Sequence, residues 1–249
     1  MPGVALNIRF LAKRTIMKYE NITKGIFMSR PNRFIANVEI DGKCQVCHVK
    51  NTGRCRELLF PGATVYVQRC SNPERKTKYD LIAVDKNGLL VNMDSQAPNK
   101  VFHEWVIKSG FFGNNIKVKS EFTYNKSRFD FYIEADAKKI LVEVKGVTLE
   151  EQGIAAFPDA PTLRGLKHIN ELCDALKEGF ETYVFFIIQM EGMRTFVPNR
   201  NTQPEFAEAL MRAKKCGVNI KALTCNISTD TIKGDSFIKV NLDGGGYFG

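Results

Sequence analysis

Apolar and polar residues alternate most regularly in two neighbouring segments, residues 128–134 and 139–145. Every second position in each segment is apolar, which is the period of a β-strand that buries one face. A tight turn at Asp136 would join the segments into an antiparallel hairpin, in which Asp130 lies directly opposite Glu143. The pattern therefore predicts a hairpin with two acids, Asp130 and Glu143, on the face opposite its apolar face.

The first part of the chain has the pattern of consecutive short strands separated by turn residues, with almost no helical periodicity. Asp41-Gly42 is a strong signal for a two-residue hairpin turn. Several short strands in this arrangement predict a small closed barrel of the oligonucleotide/oligosaccharide-binding (OB) type, with another barrel or a sandwich as the alternative. The predicted strands are residues 25–28, 34–40, 45–49, 64–69, 81–84 and 89–91.

The pattern changes near residue 95, where helical and strand periods begin to alternate. The clearest helix is residues 162–177, with an apolar stripe and Thr162 as its N-cap, and a long loop over residues 148–161 precedes it. Residues 182–189 form an apolar run typical of a strand buried on both faces. The other predicted elements are helices 100–109 and 206–215 and strands 116–123, 128–134, 139–145 and 218–222.

These elements predict an α/β chain, α+β overall, with two domains. We expect residues 17–92 to form the OB-like, nucleic-acid-binding domain and residues 93–240 to form a domain with a mixed sheet. Residues 1–16 are expected to be an upstream start or a disordered tail, and residues 241–249 a flexible tail.

Composition adds a bias toward anionic partners. The 249 residues carry 36 basic and 27 acidic side chains, a net charge of +9, which favours a partner such as nucleic acid. No apolar stretch approaches the length that spans a bilayer, and no signal peptide is apparent, so we expect a cytoplasmic protein without membrane contact. Seven cysteines without a compact spacing indicate reduced thiols.

The hairpin acids are candidate metal ligands. Two carboxylates facing each other repel, and a divalent cation between them would turn that repulsion into binding. Hard oxygen ligands favour Mg²⁺ or Mn²⁺. Lys145, two residues after Glu143 on the same face, could orient or deprotonate a water for hydrolysis. The alternative is an ordinary hairpin whose charged face is solvated.

Further charged residues surround this hairpin in the sequence. Arg164, Lys167 and His168 share one polar face of the helix at residues 162–177, where they could bind a phosphate or simply face solvent. Glu121 lies near the end of the preceding strand, and it is either a third acid of the site or a surface acid.

Basic residues interleaved with aromatic residues also occur in the amino-terminal part. Positive charge can meet phosphate and aromatic rings can stack on bases, so these residues are candidates for nucleic-acid binding. They are Arg54, Arg56, Arg69, Arg75, Lys76 and Lys78.

A set of motifs in order along residues 20–240 resembles the sugar fermentation stimulation protein A (SfsA) family. Phe129, where the general motif often has proline, and Arg54-Cys55 after Asn-Thr-Gly are departures from the family pattern. The motifs are Arg33-Phe34-Ile35-Ala36, Asn51-Thr52-Gly53, Val91-Asn92, Ser127-Arg128-Phe129-Asp130, Glu143-Val144-Lys145-Gly146-Val147-Thr148-Leu149, Phe157-Pro158-Asp159-Ala160, Thr162, Arg164-Gly165 and Lys167-His168.

The resemblance implies an OB-like domain joined to a restriction-endonuclease-like domain of the PD-(D/E)xK type. It implies that Asp130 and Glu143 bind the metal, with the backbone carbonyl of Val144 as a further ligand, and that Lys145 is the catalytic lysine. Glu121 becomes a candidate ligand of a second metal, or a residue that contacts the ligands of the first metal without binding the metal itself.

We therefore expect a nucleic-acid-binding protein of this family that hydrolyses phosphodiester bonds of DNA or RNA with Mg²⁺ or Mn²⁺. The alternative is a non-catalytic DNA-binding regulator of sugar (maltose) utilisation genes, and a carbohydrate-binding role has no supporting motif. The oligomeric state stays open, with a homodimer as one option.

Overall fold

The structure of the chain is a computed structural model that describes residues 17–51, 53–125 and 127–244. The expected tail at residues 1–16 and residues 245–249 of the expected carboxy-terminal tail lie outside the described residues. The helices are α1 (Ala97–Ser109), α2 (Leu163–Lys177) and α3 (Pro204–Cys216). The strands are β1 (Met17–Lys18), β2 (Ile22–Asn32), β3 (Ile35–Ile40), β4 (Lys43–Val49), β5 (Thr64–Arg69), β6 (Tyr79–Lys86), β7 (Leu89–Asn92), β8 (Ile116–Tyr124), β9 (Ser127–Ala135), β10 (Lys138–Val147), β11 (Leu149–Glu151), β12 (Ile154–Phe157), β13 (Glu181–Ile188), β14 (Thr195–Pro198), β15 (Asn219–Ile227), β16 (Thr231–Phe237) and β17 (Lys239–Val240).

The amino-terminal sheet forms a closed five-stranded barrel, as the sequence predicts. Its order is β4-β3-β2-β5-β6, and a parallel pairing of β4 with β6 closes it, while β7 extends β6. The turn between β3 and β4 is the predicted Asp41-Gly42 hairpin, in which both residues have positive φ, 49° and 72°. Positive φ at both central residues is the geometry that such a tight turn requires.

A seven-stranded mixed sheet forms the carboxy-terminal domain, in the order β1-β16-β15-β13-β10-β9-β8. β10, β13 and β15 run parallel, and β8 and β9 are antiparallel additions at one side. α1 packs on one face of the sheet, and α2 and α3 pack on the other. The OB barrel followed by a mixed sheet between helices confirms the predicted fold class.

β10 differs from the predicted amphipathic strand because it lies inside the sheet and is covered on both faces. Ile140 and Val142 pack in the core on the α1 side, whereas Leu141 packs in the core on the α2 side. Glu143 is only 2% exposed, so the solvated-face alternative is wrong for this residue. A hairpin pattern cannot reveal the third strand and the second helical layer that enclose it.

Two smaller differences involve segments with little local pattern. The predicted loop at residues 148–161 contains the short strands β11 and β12, which join β14 and β17 in a four-stranded sheet. Met17 and Lys18, expected in the amino-terminal domain, pair with β16 of the carboxy-terminal sheet. Strands of two to four residues are too short to show a period, so only pairing with distant strands defines them.

The two domains are joined by polar contacts that are largely buried. Gln189 Nε2 donates to the backbone and side-chain oxygens of Asn92, both at 3.0 Å, and Gln189 O accepts from the Asn92 nitrogen at 2.9 Å. Lys86 of the barrel bonds Glu150 beyond β10 at 2.5 Å. These contacts fix the barrel against the end of β10 that carries the candidate site.

Candidate active site

The structure brings Asp130 and Glu143 together where β9 and β10 stop pairing. The predicted register is confirmed from Lys138–Ala135 to Val142–Phe131, the last pair of the ladder. At the next positions the Asp130 side chain takes over as a partner of β10: its Oδ2 accepts from the Val144 backbone nitrogen at 2.8 Å. The two acids therefore lie at an opening between neighbouring strands.

Asp130 is held by two donors. Its Oδ1 accepts from Asn99 Nδ2 at 2.8 Å, and Asn99 lies on α1, while Val144 holds the other oxygen. Burial and the nearby charge of Glu143 raise the pKa of Asp130, against the effect of these hydrogen bonds. Asn99 has no motif that could have identified it, because a single amide on a helix face is a common surface residue.

Glu143 is held on the α2 side. Its Oε1 accepts from Lys145 Nζ at 2.6 Å and also contacts His168 Nδ1. Burial alone would raise the pKa of Glu143, but His168 and Lys145 outweigh it and leave that pKa below its usual value. Glu143 is therefore the acid of the pair that keeps its charge most strongly.

The donor set fits a hard divalent cation. Glu143 Oε2 is buried and has no hydrogen-bond partner within the described part of the chain. This carboxylate oxygen has therefore lost its contact with water without gaining a hydrogen bond in return. Across the described residues no group of three or more His, Cys, Asp or Glu side chains is placed to hold a metal ion. A two-carboxylate site suits Mg²⁺, which commonly binds one or two carboxylates and keeps several waters.

Glu121 is not brought into this pair by any contact that the structure shows. It is an exposed residue of β8 with φ of 54°, and its Oε2 pairs with Arg128 at 3.5 Å. Its role as an additional acid stays a prediction.

A groove runs along the start of α2 and reaches His168. We call it the α2 groove, and it has a volume of about 370 Å³. His168 links the groove to the acidic pair, because it lines the groove and contacts Glu143. Thr162 caps α2 as predicted, with its hydroxyl accepting from the Gly165 nitrogen at 2.9 Å. The groove is lined by Ser127, Arg128, Leu163, Arg164, Lys167 and His168.

The basic candidates of the barrel are divided between exposed and structural positions. Arg75 donates to both carboxylate oxygens of Asp80, at 2.6 and 3.1 Å, and therefore stabilises the barrel itself. Arg69 and Lys78 line a surface hollow of about 810 Å³. The exposed members are Arg54, Arg56, Arg69, Lys76 and Lys78.

One arginine that the sequence patterns did not single out organises the turn after β4. Arg30 donates to the backbone oxygens of Asn51, Gly53 and Arg54 at 2.7, 2.9 and 2.7 Å. Backbone acceptors leave no signal in a sequence, so only the tertiary structure reveals this contact. Arg30 thereby fixes the turn that carries Arg54 toward the carboxy-terminal domain.

Comparison with known proteins places this architecture in one family. A family model described as the sugar fermentation stimulation protein RE domain matches residues 96–231, and one described as the SfsA N-terminal OB domain matches residues 28–93. None of the helices in the described part of the chain combines the length and apolar composition needed to cross a bilayer.

Curated relatives and a solved structure match nearly the whole chain. A sugar fermentation stimulation protein homolog of Desulfitobacterium hafniense (strain DSM 10664 / DCB-2) is 58% identical over 226 residues, covering 91% of this chain and 99% of the relative. One from Ruminiclostridium cellulolyticum is 54% identical, covering 91% and 100%. The structure of Pyrococcus furiosus SfsA in complex with Ca²⁺ aligns with a TM-score of 0.84 at 29% identity, covering 91% of this chain and 98% of that one. The chain therefore belongs to the sugar fermentation stimulation protein (SfsA) family.

Proposed function

We propose that this protein is a divalent-metal-dependent nuclease that hydrolyses phosphodiester bonds in DNA or RNA. The observation that carries the proposal is the pairing of Asp130 with Glu143 at an opening in the sheet, with Lys145 bonded to Glu143. The Ca²⁺ held by the Pyrococcus furiosus relative supports a divalent cation at these acids. Mg²⁺ and Mn²⁺ are the cations we propose for turnover.

Asp130 and Glu143 would hold the cation, with the Val144 carbonyl as a third protein ligand. When bound, the cation supplies electrostatic stabilisation for charge that develops on the phosphate and lowers the pKa of a water. Asn99 and the Val144 nitrogen orient Asp130, and His168 orients Glu143. Each acid is thus positioned before substrate arrives, which reduces the reorganisation needed during reaction.

Lys145 is placed to act on the attacking water. Its Nζ lies 2.6 Å from Glu143 Oε1 and its side chain is 16% exposed, so it is both held and reachable. The ammonium group of Lys145 can orient a water for attack and stabilise the negative charge that forms on the phosphate.

The α2 groove would hold the substrate backbone. Arg128, Arg164 and Lys167 surround a space that leads to His168 and Glu143. Phosphate contacts of this kind bind without sequence preference, and they position a strand rather than read it. The exposed basic residues of the barrel would extend this phosphate-binding surface beyond the α2 groove.

The test is cleavage of labelled single-stranded and double-stranded DNA and RNA in Mg²⁺, Mn²⁺ or EDTA. Wild-type protein is compared with Lys145→Ala and with Lys139→Ala, a matched lysine at an exposed position on the same strand. We expect cleavage in metal by wild type and Lys139→Ala, and its loss in EDTA or in Lys145→Ala. Cleavage that survives both EDTA and Lys145→Ala would contradict the mechanism, and metal-independent DNA binding without cleavage would favour a non-catalytic regulator.

A further inference from the structure

A second cavity lies directly beyond the catalytic lysine, between the two domains. This interdomain cleft has a volume of about 450 Å³. Gly146, the residue after Lys145, lines it together with Thr148. Arg33 and Asn51 of the barrel form its opposite wall. The cleft therefore joins the end of β10 to the surface of the barrel.

Three sequence motifs with no part in the proposed metal chemistry meet in this cleft. They contribute Arg33, the turn at Asn51 and Gly53, and the segment that includes Phe157 and Asp159. The motifs are more than a hundred residues apart at their extremes, so only folding places them together. A Cβ on Gly53 would lie 2.1 Å from Asp159 Oδ2, which shows how closely the turn and the segment approach.

The cleft offers an aromatic ring and fixed hydrogen-bonding groups of both kinds. Phe157 is partly exposed, and its ring is held by Phe206 with centroids 5.2 Å apart. Asn51 Oδ1 already accepts from the Gly53 nitrogen at 2.8 Å, so its amide nitrogen is the atom left to donate. Gln189 is fixed with Nε2 on the barrel and Oε1 toward Gly146, which presents an acceptor.

The electrostatics of the cleft suit a neutral group attached to an anionic strand. Arg33 lines the wall, and Arg54 is exposed on the adjoining turn. Burial raises the pKa of Asp159, the acid in the lining. A flat group with donors and acceptors on its edge and a stacking face would use each of these features.

We infer that the interdomain cleft is a nucleobase pocket, which takes one unstacked base of the strand whose phosphate lies at Asp130 and Glu143. This inference rests on the proposed nuclease function and names how the substrate is held. Thr162 lines the cleft and His168 contacts Glu143, and the two residues are six positions apart along α2, a rise of about 9 Å. The base is therefore close to the cleaved bond in the strand, and a single-stranded or locally opened substrate is required.

The experiment uses a short single-stranded oligonucleotide, as DNA and as RNA, with 2-aminopurine moved along it one position at a time. Binding to the full chain is measured in EDTA and again with Ca²⁺. The fluorescence of 2-aminopurine rises when the base leaves its stacked neighbours, so we expect a rise at one position. An abasic site at that position should weaken binding about tenfold, the effect of losing one base stacked on an aromatic side chain.

Two variants locate the pocket. Ala160→Phe fills the cleft, and it should remove the fluorescence rise and lower the affinity for the intact strand to that for the abasic strand. Its matched control is Ala137→Phe, at an exposed position in the turn between β9 and β10, which should leave both unchanged. Thr148→Val exchanges one hydroxyl for a methyl group, and it should weaken binding of the intact strand only.

The possible results separate this inference from the proposed function. If the oligonucleotide binds and is cleaved in metal but no position responds, the nucleobase pocket is wrong and the nuclease proposal stands. The same holds if Ala160→Phe and Ala137→Phe behave alike. If no strand binds under any condition, both proposals are wrong.

Discussion

Asp130 Oδ2 accepts a hydrogen bond from the Val144 backbone nitrogen at 2.8 Å, just beyond Val142–Phe131, the last ladder pair of β10 and β9. A side chain thus satisfies a main-chain donor that strand pairing leaves free. The Val144 amide therefore stays paired where the strands separate, and the opening holds Asp130 beside Glu143. This single contact links the stability of the sheet to the geometry of the candidate active site.

Two substitutions of Asp130 should separate these roles. Asp130→Ala leaves the Val144 nitrogen without a partner and should lower the free energy of unfolding by about 1–3 kcal/mol. Asp130→Asn keeps an oxygen for Val144, and Asn99 can turn its amide to accept from the new nitrogen, while repulsion from Glu143 is removed, so this variant should retain nearly wild-type stability. Both should abolish Mg²⁺ binding. Urea unfolding and calorimetric titration measure the two effects, and equal stability of the two variants would contradict this account.

His168 should act on metal affinity through Glu143. Its Nδ1 contacts Glu143 Oε1, so His168→Ala frees the carboxylate and should weaken Mg²⁺ binding about 10–100-fold. His168→Gln can still donate and should recover part of the affinity. His103→Ala, on α1, is the matched control and should bind like wild type. Unchanged affinity in His168→Ala would show that the contact does not position the acid.

The α2 groove predicts a specific salt dependence. Arg164→Gln or Lys167→Gln removes one cation from the groove, so the slope of log affinity against log salt should fall by about 1 for each. Lys117→Gln, at the other end of the β8–β9 hairpin beside Glu134, should leave the slope unchanged. Nucleic-acid binding at several salt concentrations measures it. An equal loss in all three variants would indicate general charge attraction instead of a groove.

Asp80 should make the barrel sensitive to acid. Burial alone would raise its pKa, but Arg75 and Lys50 outweigh burial and hold that pKa below the ordinary 3.8. Since the folded state binds this proton less readily, the stabilisation is present above the ordinary pKa and is lost as pH falls through the lower folded value.

Asp80→Asn should therefore lower the free energy of unfolding at neutral pH by about 1–3 kcal/mol. The difference from wild type should shrink as pH is lowered below about pH 5. Urea unfolding over a pH series measures it, and a difference that grows toward low pH would have the wrong sign.

Gly146 should tolerate no side chain. A Cβ there would lie 2.5 Å from Gln189 Oε1 and 2.6 Å from Pro98 Cγ, and Gln189 is fixed by its contacts with the barrel. Gly146→Ala should lower the free energy of unfolding by about 1–3 kcal/mol, as overpacking does. It should also reduce cleavage, because Lys145 is the adjacent residue. Thermal and urea unfolding beside the cleavage assay would detect both changes.

Local patterns determined much of this protein. The strand period and the turn at Asp136 were enough to give the register of the hairpin as far as Val142 and Phe131, the residues that precede Glu143 and follow Asp130. The apolar stripe and Thr162 gave the helix that presents Arg164 and Lys167, because capping and amphipathicity depend on neighbours in sequence.

Tertiary structure alone decided how the site is enclosed and what lies next to it. Burial of Glu143 depends on β13 and α2, and Asn99 reaches Asp130 from a separate helix. The interdomain cleft exists because Gln189 fixes the barrel against β10, and contacts between residues so distant in sequence leave no periodic pattern. The sequence by itself determined the longer elements and the positions of the two acids on the hairpin, whereas packing between layers and domains determined their burial, their partners and the cavity beside them.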